Sequence, residues 1–131
     1  EVTQNYPYFL QEWGKQAWDA ADQCPITRAD VEAAHPAALA ALDDSFFRVR
    51  FERLTPAEKR YLRAMAELGP GPCPSTAIAN QLNRKSNAFG PLRASLVAKG
   101  MIYTPDYGQT AFTVPLFDEF MRRAVPSAGD L

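Results

Sequence analysis

The sequence predicts a mainly α protein: an N-terminal helical segment followed by a winged helix-turn-helix with a small β-hairpin wing. Three observations predict it. Residues 54–100 read as helix, link, helix, tight turn and third helix. Two β-rich runs, 101–104 and 110–114, flank the turn Pro105-Asp106-Tyr107-Gly108-Gln109 and read as a hairpin. Apolar residues in the first 52 positions recur at helical spacing.

Each element has its own local signal. Pro7 suits a first helical turn, and Leu10, Trp13, Ala17 and Ala21 follow at helical spacing. Cys24-Pro25 breaks that helix. Thr27 and Asp30 then form a capping box for a second, in which Val31, Ala34 and Ala38 share a face. Pro36 interrupts this pattern. It lacks an N–H and crowds the preceding turn, so a break or kink is expected at His35-Pro36, then a helix carrying Leu39, Leu42, Phe46 and Phe47. Phe46, Phe47, Val49 and Phe51 surround that helix with apolar groups, which predicts burial on two sides. Trp13 fits the core, whereas Trp18 is five residues on and faces elsewhere.

The second region opens on Thr55, Pro56 and Glu58, an N-cap, a first-turn proline and the return half of a capping box. Tyr61, Leu62, Met65 and Ala66 make its apolar stripe, and Gly69-Pro70-Gly71-Pro72 stops it. A shorter helix from about Ser75 places Ile78 and Leu82 four apart. Asn83-Arg84-Lys85 turns into the third helix, which starts at Ser86 or at Pro91 and ends at Gly100. A last helix is expected from Pro115, with Asp118 and Glu119 early and Arg122 and Arg123 late, matching the helix dipole. The organisation is therefore 1–52 helical, 53–125 winged helix, and a frayed tail over 126–131.

The 131 residues carry a net charge of −1 and 47% apolar side chains, which argues against a strongly basic nucleic-acid binder. The charge is uneven. Residues 68–105 contain Arg84, Lys85, Arg93 and Lys99 and no acid, while the first 34 positions are acidic. Cys24 and Cys73 have no metal-ligand spacing and read as free thiols, with a disulfide the alternative. No apolar run approaches membrane-spanning length, no secretory leader is visible, and a cytoplasmic location is expected. The chain opens without Met, as an excised or processed piece would.

Together, Tyr6-Pro7-Tyr8-Phe9-Leu10-Gln11, Leu42-Asp43 with Phe46-Phe47-Arg48, Leu54-Thr55-Pro56-Ala57-Glu58 leading to Tyr61-Leu62, Lys99-Gly100-Met101-Ile102-Tyr103 and Phe112-Thr113-Val114-Pro115 with Phe117 carry a resemblance. The sequence resembles the C-terminal lid and winged-helix region of a bacterial and archaeal family of AAA+ ATPases, of the STAND-like and origin-recognition-like kind. The resemblance implies that 1–52 is a lid-like segment and that Pro7 lies at the nucleotide side of the lid, with Asn5 standing where the family has Gly. It also implies an ATPase core upstream. ATP and magnesium would belong to that core, since no phosphate-binding loop occurs in this chain and no cofactor is expected for it alone.

In the third helix, Phe89, Leu92 and Leu96 point inward by periodicity, leaving Asn87, Pro91, Ala94 and Ala98 outside. That face is small and nearly uncharged, so base readout should be weak. The candidate nucleic-acid-binding residues are Arg84, Lys85 and Lys99 for phosphate, Ser86 and Asn87 at the helix start, and Tyr107 at the wing tip. Arg93 is expected to pair with a carboxylate or cap a carbonyl. Asp106 in the wing opposes phosphate, and a small-residue helix face permits close approach of another helix. A protein-docking module therefore stands beside a double-stranded-DNA binder as a reading, with the upstream ATPase core itself a candidate partner. His35 is the only histidine, so neither a histidine metal site nor a catalytic triad can be assembled; no catalytic or metal-binding residue is expected.

Overall fold

Residues 2–127 are described by the computed structural model, and the chain divides after Glu52 into two units. It is mainly helical, with one small three-stranded antiparallel sheet. Among the described residues no helix is long and apolar enough to cross a membrane.

The first unit is built on α1 (Pro7–Ala20) and α2 (Arg28–Leu42). Pro7 occupies the first turn of α1. The buried face is Phe9, Trp13 and Ala17, and Leu10 is half exposed. The expected stripe holds at Trp13 and Ala17 and differs at its first position: Phe9 and Leu10 compete for one inward place, and the aromatic ring takes it. The capping box of α2 is complete, with Thr27 N–H donating to Asp30 Oδ2 at 2.8 Å and Asp30 N–H to Thr27 Oγ1 at 3.3 Å.

The expected break at Pro36 is absent; α2 runs through it. Pro36 points to solvent, while Ala34 and Ala38 are buried. The small side chains on the inner face allow α2 to lie close to α1, with the Trp13 and His35 rings 5.5 Å apart. Packing along the whole helix outweighs the one hydrogen bond that proline forfeits.

Irregularity comes later. A π-helical turn, Asp43–Phe47, joins α2 to a short α3 (Arg48–Glu52). Arg48 N–H reaches back to Asp43 O, five residues away, and Ser45 Oγ–H donates to Ala41 O at 2.6 Å. The extra residue in the turn lets two consecutive phenylalanines face inward. Phe46 and Phe47 are both buried, 5.3 and 5.6 Å from the Phe9 ring. Val49 is exposed, and the Arg50 guanidinium lies 3.6 Å over the Phe46 ring.

The second unit is organised by α4 (Pro56–Glu67), capped by Thr55 and Glu58. Residues 61–66 are all buried, far more than one stripe, because α5 (Ser75–Gln81), α6 (Gly90–Ala98) and α7 (Phe117–Ala124) all pack against this helix. Arg63 of α4 is among the buried residues. Its guanidinium donates to the carbonyls of Val125 and Pro126 at the end of α7 and pairs with Glu67 at 3.2 Å. Arg122 of α7 does the reverse, donating to Ala66 O at the end of α4 and pairing with buried Asp118 at 2.9 Å.

The sheet has β1 (Cys73–Pro74), β2 (Ile102–Tyr103) and β3 (Gln109–Phe112), in the order β1-β3-β2. Cys73 faces Thr110 and Ile102 faces Phe112. The hairpin is the expected wing pairing; β1 is an addition. A two-residue strand inside a Gly-Pro run has no alternation to read, and its proline sits on an edge strand, where a missing donor costs least.

A 3₁₀ turn, Ser86–Phe89, precedes α6. The latter starts at Gly90, with Pro91 in its first turn. It ends in a Schellman motif: Gly100 adopts φ 71°, Met101 N–H donates to Leu96 O, and Gly100 N–H to Val97 O, both at 3.0 Å. The last helix starts at Phe117 instead of the expected Pro115. Leu116 intervenes in the left-handed region at φ 65°, an unfavourable conformation for a branched side chain. Leu116 and Phe117 are both buried, so the strain is offset by core packing. Of the tail expected over 126–131, positions 128–131 lie outside the described residues.

The uninterrupted α2 makes Pro36 a removable defect. A Pro36→Ala chain is expected to gain about 1–3 kcal/mol in urea unfolding, because the helix interior recovers a donor and loses a clash. An unchanged or lower midpoint would show that proline stabilises more by restricting the unfolded chain than it costs in the helix.

Candidate nucleic-acid interface

The turn between α5 and α6 is shaped by Asn83 at φ 54° and by Arg84 N–H donating to Ala79 O at 3.1 Å. This bends the chain so that Arg84, Lys85 and Asn87 are exposed. The Arg84 guanidinium lies 5.7 Å from the Phe89 ring, whose face supports it. Phe89 in turn packs on Tyr61 of α4 at 5.4 Å.

Lys99 departs from its expected role. Its Nζ donates to Glu58 Oε1 at 2.7 Å and to Arg53 O at 3.0 Å. Glu58 is buried, at 3% exposure, and also accepts from Thr55 N–H through the same oxygen at 3.1 Å. Burial by itself pushes the Glu58 carboxyl up, but the hydrogen bonds from Lys99 and Thr55 and the lysine charge outweigh it and hold it below its ordinary 4.5. Lys99 is thereby committed to neutralising a buried carboxylate. The spacing of 41 residues between the partners hid this pair, and Glu58 looked fully explained by its capping role.

Beside α6 lies an open cleft of about 530 Å³. One wall is the start of α5, with Ser75 and Thr76; the next is Ser86 with Arg93, Ala94 and Val97. The hairpin closes it with Ile102, Thr104 and the strand-turn residues 107–110. Ser75 N–H donates to Gly108 O at 2.8 Å, and the Ser75 and Thr110 hydroxyls meet at 2.9 Å, so the helix start and the wing are joined at the cleft floor. Tyr107 stands fully exposed at the mouth. Among the described residues no acidic side chain lines the cleft.

Arg93 is partly buried in this cleft. Its expected partner is a carboxylate or a carbonyl, and among the described residues it meets neither: Nη1 donates to Ser86 Oγ at 3.3 Å. The Tyr61 hydroxyl lies near Arg93 and Thr110, fully buried and without a well-aligned hydrogen-bond partner. Burial pushes this phenol up, and the neighbouring Arg93 charge opposes that rise. Burial also raises the Cys73 thiol; Cys73 and exposed Cys24 are both free.

The structure thus brings Ser86 and Tyr107 to one cleft, leaves Arg84, Lys85 and Asn87 exposed outside it, and withdraws Lys99. Pro7 belongs to the first unit, exposed at the start of α1. The hydroxyl-bearing wall of Ser75, Thr76, Thr104 and Thr110 was not foreseen. Its one sequence signal is the long acid-free stretch in which all four hydroxyl residues but the last lie.

Residues 44–121 match a family model described as a domain of unknown function, DUF8462. The chain belongs to the DUF8462 family. The matched span contains Arg84, Arg93, Lys99 and Tyr107, together with every wall of the cleft, so the cleft lies wholly within the DUF8462 region, and Pro7 lies outside it. No curated protein and no solved structure matches the chain.

The Glu58–Lys99 pair gives a pH test. A carboxyl held low in the folded chain contributes stability that is present above its unfolded value near 4.5 and is lost as pH falls through the lowered folded value. Replacing it by Glu58→Gln should remove that part of the acid sensitivity and lower stability at neutral pH by about 1–2 kcal/mol. Urea midpoints measured from pH 7 down to pH 3 for both chains check this; parallel curves would mean that the pair does not set the acid limb.

Proposed function

We propose that this chain is the lid-like and winged-helix C-terminal region of an AAA+ ATP-binding protein of the cytoplasm, and that its winged helix holds double-stranded DNA by the backbone with little base selectivity. The observation that carries the reading is the acid-free basic segment displayed ahead of α6. Arg84 and Lys85 are exposed there, with no carboxylate paired to them among the described residues. Cations of this kind exchange counterions with phosphate and need no base contact. The 3₁₀ turn after them offers Asn87 for base edges, and the exposed face of α6, Pro91, Ala94, Val97 and Ala98, offers none, which fits sequence-blind binding. Exposed Tyr107 on the hairpin would lie against the DNA backbone on this reading.

On this reading the chain is not an enzyme by itself. The upstream ATPase core would bind ATP and magnesium, and the helices of the first unit, with Pro7 at their start, would respond to the nucleotide it holds.

One observation favours a second reading. The exposed side of α6 is Pro91, Ala94, Val97 and Ala98, small or apolar, and the hairpin turn carries Asp106. Such a surface suits a partner helix, or the ATPase core, better than a phosphate chain.

Fluorescence anisotropy of a labelled random-sequence duplex separates the two. Two to three phosphate contacts predict that affinity falls roughly 10- to 40-fold between 50 and 200 mM salt. Reversing both charges with Arg84→Glu and Lys85→Glu is expected to abolish binding while leaving the circular-dichroism melt unchanged. Absence of duplex binding by the wild-type chain at low salt would remove the DNA reading. Loss of a partner's binding on substituting Ala94 and Ala98 by glutamine would then favour the second.

A further inference from the structure

We infer that the cleft between α5, α6 and the hairpin is a binding site for a phosphate oxyanion, with Arg93 as its charged anchor and the hydroxyls of Ser75, Thr76 and Thr104 around it. Three observations converge on this. The first is how the cations of the second unit are partnered. Arg63, Lys99 and Arg122 each sit partly or wholly out of water, and each meets a carboxylate. Arg93 is also partly buried, yet it meets neutral hydroxyls, Ser86 Oγ and the neighbouring Tyr61, and no acid among the described residues. A partly buried guanidinium that faces a cleft without a counter-charge is open to an anionic ligand, which would supply charge-assisted hydrogen bonds there.

The second observation is the Tyr61 hydroxyl. It is fully buried beside Arg93 and Thr110 with no aligned partner, on the core side of the same arginine. The charged head is thus supported from behind by a group that cannot neutralise it. The third is the lining itself, which is rich in hydroxyl donors and free of acids, while Ala94, Val97 and Ile102 supply apolar contact. A cleft of about 530 Å³ exceeds the needs of a bare phosphate and leaves room for the group that bears it.

The phosphate has two sources of one chemistry: a backbone phosphodiester of bound DNA or a free phosphate or phosphomonoester. The site stands on its own geometry, so its test is independent of duplex binding. Amide and arginine Nε–H resonances of the full chain are followed by NMR during titration with inorganic phosphate, against sodium chloride at matched ionic strength, and then with a short duplex. A saturable phosphate-specific shift at Arg93 and Thr76 is expected. It should weaken at least about tenfold in Arg93→Gln and persist in part in Arg93→Lys, which keeps the charge without the fork. The charge-reversed Arg84→Glu, Lys85→Glu chain should keep the phosphate response, since neither residue lines the cleft.

Phosphate saturation in a chain that binds no duplex would uphold the site and assign it to a free ligand. A saturable duplex response at Arg93 without a phosphate response would also uphold it and assign it to the polymer. Shifts matched by chloride in both titrations, or a response unchanged in a folded Arg93→Gln chain, would overturn it.

Discussion

Two arginines terminate each other's helices, and the second unit depends on that exchange. The last carbonyls of any helix have no partner within it. Arg63 of α4 supplies donors to the end of α7, and Arg122 of α7 supplies one to the end of α4. Each guanidinium keeps a carboxylate from its own helix, Glu67 or Asp118, so neither buried charge is left alone. Removing either arginine therefore strands carbonyl groups at the other helix's end, and removing Arg122 also strands buried Asp118. With its end fixed in this way, α4 can be buried on nearly every side, and the helices that frame the cleft inherit their positions from it. Tyr61 transmits this most directly, packing on Phe89 at the entry to α6 and placing its hydroxyl beneath Arg93.

The cations of the acid-free stretch look alike in sequence, but the fold assigns them different environments. Arg84 and Lys85 sit on an exposed bend, Arg93 is drawn into a cleft of hydroxyls, and Lys99 neutralises Glu58. A local count of charge therefore overstates the surface that is available to a polyanion. It also conceals that Arg93 alone of these cations faces a cleft lined by hydroxyls.

What was legible in the sequence follows from how local each feature is. Both capping boxes, the Gly100 stop and the hairpin turn are determined by residues within a few positions of one another, and each forms as read. The misreadings all involve distant partners. The path of α2 through Pro36 depends on alanines meeting α1. The choice of Phe9 over Leu10 depends on phenylalanines some forty residues away at 46 and 47. Lys99 is claimed by a glutamate on another helix, and Leu116 holds a left-handed backbone because the core accepts its side chain. The cleft is the extreme case. Its walls come from four separate elements, and Ser75, Thr76, Thr104 and Thr110 do not stand out until those elements are assembled.

The arrangement of the small sheet limits pairing of a further strand at its edges. β3, the longest of the three strands, is the central one, with a neighbour on both sides. The outer strands span two residues each, and one of them ends in Pro74. An incoming strand would find too few backbone groups in line to register against, and on one side an imide nitrogen with nothing to donate. The hairpin can thus project an exposed tyrosine into solvent without offering a template for strand-by-strand growth.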